Sequence, residues 1–143
     1  MSDEYLVAFI EYAPSVVNPM TLNKSYRTHE MKVKKFLGKL KNKKVALWGA
    51  GIRGIPLISF SGLDEHSVLY CIDSDPNKHG KFLPGSHIPV VSPDVIRRNT
   101  PDVIVITASF YTKAIVDTLR KKYAYTKQIA TLFPEPAILR EIV

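Results

Sequence analysis

Cysteine and long apolar runs are what this sequence has least of. Cys71 is the single cysteine among 143 residues, which excludes an intrachain disulfide framework and leaves too few thiols for a zinc–thiolate site. No apolar stretch reaches the roughly 18 to 20 residues that cross a bilayer. The first residues include Asp3 and Glu4 and lack the basic segment of a signal peptide. The sequence therefore predicts a cytoplasmic globular protein without a metal centre and without membrane association.

Acidic residues are also scarce. Asp and Glu number 13 against 20 Lys and Arg, for a formal net charge of +7. Seven lysines lie between residues 32 and 44. A second basic cluster comprises Arg97, Arg98, Lys113, Arg120, Lys121, Lys122 and Lys127. No stacking aromatic residues or groove-binding helix accompany them, so nucleic-acid binding is not expected. Solvated helix faces account for most of these side chains, and attraction of a polyanionic ligand or partner is the alternative.

Residues 1–42 are expected to form an N-terminal arm and an amphipathic helix. The short apolar run at residues 5–10 is followed by prolines that break regular structure, and it suggests pairing with a second copy of the chain or with a sheet edge. Between residues 25 and 40 the apolar side chains recur at helical spacing with lysines between them. They are Val33, Phe36, Leu37 and Leu40.

Residues 43–143 alternate apolar runs with helix-compatible segments. We expect strands near residues 44–48, 67–72, 88–91, 102–107 and 128–132, and helices near 52–61, 93–98 and 111–122. This alternation predicts an α/β fold, namely a Rossmann-like, doubly wound and mainly parallel sheet of about five strands with helices on both faces. Right-handed crossovers then place the carboxyl ends of the first and fourth strands side by side, where ligands of such sheets bind.

The first strand runs into a glycine motif at residues 49–54, Gly-Ala-Gly-Ile-Arg-Gly. Glycines at this spacing allow a tight turn, close approach of a ligand and close packing of a helix on a strand. The N–H groups at the start of the following helix can hold a diphosphate. Asp73 follows Gly51 at about the 20-residue separation at which a carboxylate meets a ribose hydroxyl. The alternative is that Asp73 caps its own turn.

The loop after Asp73 carries Lys78 and the run Pro-Gly-Ser-His-Ile-Pro-Val at residues 84–90. With the glycine motif, this run makes residues 43–111 resemble the C-terminal domain of S-adenosylmethionine-dependent sugar C-methyltransferases, which modify nucleotide-linked deoxysugars. The resemblance implies a Rossmann-like domain that holds a nucleotide-diphosphate sugar. It also implies a separate domain that binds S-adenosylmethionine and a cysteine-rich segment that binds zinc.

The resemblance assigns site residues by position and assigns no catalytic residue. The phosphate-binding turn comprises Gly49, Ala50, Gly51, Ile52, Arg53 and Gly54. The same crevice is lined by Asp73, Lys78, Pro84, Gly85, Ser86 and His87. An aromatic segment near the sugar, after the fourth strand, corresponds to Ser109, Phe110 and Tyr111.

Two departures from the family bear on function. The chain lacks the zinc cysteines, and residues 1–42 are too short for a methyl-donor domain. We therefore expect a nucleotide-sugar-binding domain that acts with a separate methyltransferase or other sugar-modifying polypeptide.

The glycine motif and Asp73 alone also fit a small NAD(P)-dependent oxidoreductase or an NAD-sensing domain. Against that alternative, Tyr111 and Lys113, which directly follow the fourth strand, are only two residues apart and so lack the helical spacing of a hydride-transfer pair. A third alternative is a structural partner without a ligand.

Overall fold

The computed structural model of the protein describes residues 19–52 and 54–140. Its α-helices are α1 (Pro19–Gly38), α2 (Gly54–Ser61) and α3 (Thr112–Lys121). Its strands are β1 (Val45–Trp48), β2 (Cys71–Ile72), β3 (Val90–Val91), β4 (Val103–Ile106), β5 (Gln128–Thr131) and β6 (Ala137–Ile138). Short 3-10 helices lie at Pro76–Lys78, Pro93–Arg97 and Ser109–Tyr111. The apolar run at residues 5–10 and Arg53 lie outside the described residues.

The strands form a mixed α/β fold with a mostly parallel sheet. Their order is β3-β2-β1-β4-β5-β6. The first five strands of this order pair in parallel, and β6 pairs antiparallel with β5. Trp48 of β1 lies opposite Ile106 of β4, so the two carboxyl ends are side by side as predicted. The sheet has six strands where about five are expected, because a two-residue edge strand such as β6 is too short to produce a periodic pattern.

The central strands are buried on both faces, which is why they have continuously apolar sequences. Alternate residues of β1 and β4 belong to two different cores. One core contains Val33, Leu37 and Leu40 from α1 and its end, together with residues of α2. The other contains Ile96 of the second 3-10 helix and residues of α3. Helices therefore cover both faces of the sheet, and the amphipathic helix predicted near residues 25–40 shares the core of the sheet.

Two predicted elements are shorter in the structure. The helix expected at residues 93–98 is a 3-10 helix, Pro93–Arg97, whose first turn is capped by the Ser92 hydroxyl. The strand expected at residues 67–72 is reduced to Cys71–Ile72. Its first residues are taken up by a turn in which the Asp64 carboxylate accepts hydrogen bonds from the N–H groups of His66 and Ser67. Local side-chain capping thus competes with regular structure at both places.

His29 attaches α1 to the segment between β5 and β6. Its ring stacks on Phe133 with the centroids 5.2 Å apart, and the neighbouring Lys32–Glu135 ion pair measures 2.7 Å. The Nε2 atom of His29 is buried without a hydrogen-bond partner in the described part of the chain. Burial lowers the pKa of His29 below its ordinary value of 6.5, although Glu135 opposes this effect.

We therefore expect the free energy of unfolding to decrease on acidification, because His29 must take up a proton in a partly buried position. The folded-state pKa lies below the unfolded-state value, so the contribution of His29 is complete above pH 6.5 and is lost as pH falls through the folded pKa. Replacement of His29 by phenylalanine should keep the ring contact and flatten this part of the curve. Urea unfolding midpoints measured against pH test this. His66→Phe is the matched control, because the His66 side chain is 85% exposed. Identical curves for the wild type and His29→Phe would contradict the assignment.

Candidate functional site

The three glycines of the turn differ in why they are needed. Gly49 has a φ of +117°, and a Cβ there would lie 2.8 Å from the Ala108 Cβ. A Cβ on Gly54 would lie 2.8 Å from the Thr107 Cβ. Packing against the end of β4 therefore requires glycine at both positions. A Cβ on Gly51 would meet no atom within 4 Å, and Gly51 does not have a left-handed φ. Nothing in the described structure requires glycine at position 51, and its backbone faces open space.

The N–H groups of the turn fall into two sets. The Gly49 N–H donates to the Ile72 carbonyl at 2.8 Å, and the Ala50 N–H donates to Asp73 Oδ2 at 2.8 Å. Among the described residues, the N–H groups of Gly51 and Ile52 have no acceptor. Unpaired N–H groups just before a helix attract an anion, because they carry the partial positive charge of the helix start. The open space beside Gly51 and the two N–H groups without an acceptor therefore lie at the same point of the turn.

Thr107 fixes the shape of this turn, and sequence analysis missed it. It follows β4 directly and is 1% exposed. Its hydroxyl oxygen lies 3.0 Å from the Trp48 carbonyl and 2.6 Å from the Gly49 carbonyl, and its single proton is shared between them. Thr107 thereby ties the end of β4 to the end of β1. A polar residue directly after a continuously apolar strand is the signal that could have revealed it.

Asp73 joins the turn after β1 to the loop after β2. Its Oδ2 accepts hydrogen bonds from the Ala50 N–H and the Lys78 ammonium, and its Oδ1 accepts one from the Asp75 N–H at 2.9 Å. Burial raises the pKa of Asp73, but these donors outweigh burial and hold the pKa below its ordinary value of 3.8. The carboxylate is therefore ionised at neutral pH. Asp73 therefore caps its own turn through the Asp75 N–H, which is the alternative considered from the sequence. Three of the roughly four lone-pair positions of the carboxylate are in use.

Apolar side chains flank the turn at the same edge of the sheet. Ser109, Phe110 and Tyr111 form the 3-10 helix after β4, next to Ala108, which contacts Gly49. The side chains of Ile52, Phe110 and Tyr111 are each more than 60% exposed. Three exposed apolar side chains therefore lie on the two segments that follow β1 and β4.

Four of the predicted site residues lie elsewhere. Phe82 and Pro89 form an antiparallel bridge, and the Leu83 N–H donates to the Ile88 carbonyl at 2.8 Å, so the chain makes a hairpin whose second arm enters β3. The turn of this hairpin comprises Pro84, Gly85, Ser86 and His87. It lies at the amino end of β3, where Ser59 in the second half of α2 approaches the Pro84 carbonyl at 3.4 Å. The structure therefore does not bring these four residues to the glycine turn, because the chain reverses direction before β3.

Other kinds of site find little support in residues 19–52 and 54–140. Within these ranges, no group of three or more His, Cys, Asp and Glu residues could hold a metal ion. None of the helices described there combines the length and the apolar character needed to cross a membrane. Burial raises the pKa of Cys71 to about 12, so its thiol stays protonated and unreactive at neutral pH.

These features define a mixed α/β domain in which a glycine turn and an ionised carboxylate meet at the carboxyl edge of a parallel sheet. The family model of the C-methyltransferase C-terminal domain matches residues 20–134. The chain belongs to this family, which confirms the resemblance read from residues 43–111 and extends it over α1. C-methyltransferase NovU of Streptomyces niveus is 32% identical over 97 residues, which are 68% of this chain. The chain spans 23% of that protein.

Proposed function

We propose that this chain is a Rossmann-like, doubly wound module that binds a nucleotide-diphosphate sugar for chemistry performed by a methyltransferase or another sugar-modifying polypeptide. The strand order 3-2-1-4-5-6 is that of doubly wound nucleotide-binding sheets. In such sheets the ligand occupies the crevice where the strand order reverses, which here lies between β1 and β4. Membership of the C-methyltransferase C-terminal domain family supports this class of ligand.

The observation that carries the proposal is the open backbone at Gly51. The structure itself requires glycine at positions 49 and 54 but not at position 51. A glycine that no protein contact requires, with two free N–H groups beside it, suits the close approach of a diphosphate. Lys78, whose side chain is 40% exposed, supplies a positive charge at the same edge. Arg53 keeps its predicted role as a second phosphate contact.

The exposed side chains around the turn suit the rest of the ligand. Aromatic rings contribute a large apolar face that stacks on a base or a sugar. Phe110 and Tyr111 lie in the 3-10 helix after β4, and Ile52 lies in the turn between β1 and α2, so we place them on the two sides of the crevice. We assign the base or sugar to this apolar rim and the diphosphate to the glycine turn.

The alternative ligand is NAD(H), which the same strand order and Asp73 support. Asp73 already accepts three hydrogen bonds from the protein, so it has room for about one further donor. A ribose in an NAD site offers two hydroxyl groups. The ribose of a UDP-sugar offers the same two hydroxyl groups, whereas the deoxyribose of a dTDP-sugar offers one, so the occupied carboxylate favours a dTDP-sugar over NAD(H).

Calorimetric titration with UDP-glucose, dTDP-glucose and NADH in separate experiments tests the proposal. We expect at least one sugar nucleotide to bind with about tenfold or greater preference over NADH, which corresponds to about 1.4 kcal/mol. Free glucose is the matched control and should not bind, because the proposed anchor is the diphosphate. Binding of NADH alone would show that the proposed ligand class is wrong. Binding of none of the three nucleotides would contradict a nucleotide-binding role for the crevice.

A further inference from the structure

A cavity of about 320 Å³ opens at the amino edge of the sheet, on the face covered by α3. Its residues come from the segments that precede β4 and β5, whereas the glycine turn lies at the carboxyl edge. Buried Ile96 and Tyr125 line its inner part, and Arg97, Tyr123 and Lys127 line its more exposed part. A volume of this size is at the lower end of the range for small-molecule sites.

The charge around this cavity is unbalanced. The Arg97 guanidinium and the Lys122 ammonium each lie 5.4 Å from the centroid of the Tyr123 ring. In the described ranges neither group has a carboxylate within 4.0 Å. Lys127 differs, because it is paired with Asp102 at 2.8 Å. Two cations that have no carboxylate within 4.0 Å in the described ranges therefore lie near one aromatic ring, whose hydroxyl group donates to Asp94 Oδ1 at 3.2 Å.

The backbone around the cavity is held in a fixed bend. Ala124 has a φ of +48°, a left-handed conformation that ordinarily favours glycine. The bend is held by the Tyr125 N–H, which donates to the Leu119 carbonyl at 2.9 Å. The Arg120 guanidinium also donates to the carbonyls of Tyr125 and Lys127. Lys122 and Tyr123 are thus attached to a segment that is anchored on both sides, and the Arg97 guanidinium donates to the Lys122 carbonyl at 3.4 Å.

We propose that this cavity binds a phosphate monoester, with the phosphate between Arg97, which lines the cavity, and Lys122, which lies beside it, and with the organic part against Tyr123 and Ile96. A phosphate monoester carries nearly two negative charges at neutral pH, which matches the two unpaired cations. Guanidinium groups bind phosphate through two parallel hydrogen bonds. The aromatic and aliphatic side chains give the organic part a surface that free phosphate would not use. This site is separate from the crevice at the glycine turn and does not depend on its ligand.

The test is a titration of the isotope-labelled full chain with phenyl phosphate at low ionic strength, followed by amide NMR shifts. We expect saturable shifts at residues 96–100 and 123–127, with residues 49–52 and 54 unmoved. Inorganic phosphate should shift the same amides with weaker affinity. No saturable shift in these two segments, or shifts confined to the glycine turn, would overturn the proposal.

Two double variants of equal net charge distinguish specific binding in the cavity from general electrostatic attraction to a basic surface. The double substitution Arg97→Gln, Lys122→Gln should weaken phenyl phosphate binding about tenfold to a hundredfold, as expected for lost hydrogen bonds between charged groups. The control Arg98→Gln, Lys121→Gln removes two neighbouring cations, neither of which lies over the Tyr123 ring, and should leave the affinity within about twofold. Arg97→Lys keeps the charge, loses the paired donors and should fall between these results. An equal loss of phenyl phosphate affinity in both double variants would mean that surface electrostatics, and not a specific site, accounts for the binding.

Discussion

Replacement of Gly51 by valine is expected to abolish nucleotide-sugar binding and to change the free energy of unfolding by less than about 1 kcal/mol. The valine side chain would project into the open space beside the free N–H groups, where the diphosphate is proposed to lie. Because no atom of the described residues beyond the chain neighbours lies within 4 Å of the added Cβ and the φ of Gly51 is not left-handed, the fold should tolerate it. Binding and stability are therefore expected to separate at this residue.

Calorimetry with the sugar nucleotide and urea unfolding, performed on the same preparation, test this separation. Gly38→Val is the matched control, since a Cβ at Gly38 also meets no atom within 4 Å and lies at the end of α1. We expect the control to retain wild-type affinity. Retained affinity in Gly51→Val would remove the glycine turn from the binding site.

Gly49→Ala is expected to destabilise the protein by about 2 to 6 kcal/mol. The φ of +117° is unfavourable for any residue with a Cβ, which costs about 1 to 3 kcal/mol. The new methyl group would also lie 2.8 Å from the Ala108 Cβ and 3.0 Å from the Ala108 backbone nitrogen. Overpacking of this kind costs about 1 to 3 kcal/mol. Relief would require movement of the backbone after β4, which Thr107 holds to β1.

Urea denaturation measures this loss, with Gly38→Ala as the control. Alanine at position 38 meets no neighbour and should leave stability unchanged or slightly raised, because alanine favours helix more than glycine does. A loss of less than about 1 kcal/mol in Gly49→Ala would mean that the turn adapts to a side chain. Thr107 would then not hold the turn in a fixed shape.

The parts of the fold that the sequence predicted are those in which pattern and burial coincide. β1 and β4 are apolar at every position because both faces are covered, so their runs stand out without knowledge of the tertiary structure. Their adjacency followed from the handedness of crossovers. The two-residue β6 has no such pattern, and its pairing with β5 depends on contacts that form only in the folded chain.

The site was predictable to the extent that it depends on spacing. The glycine turn and Asp73 were found because their separation is fixed by one strand–helix–strand unit. The position of residues 84–87 was not, because the reversal at the Phe82–Pro89 bridge is a matter of register that no local pattern reveals. Thr107 was missed for a related reason, since its partners at Trp48 and Gly49 lie close to it only after β1 and β4 have paired.

The apolar contacts of α1 determine where this unit can be divided. Val33, Leu37 and Leu40 are buried in one core with β1, β4 and α2. A fragment that begins at residue 43 would expose the apolar surface that these side chains cover. Exposed apolar surface of this kind favours aggregation. Any shortened form of the chain that is meant to fold must therefore keep α1 together with the sheet.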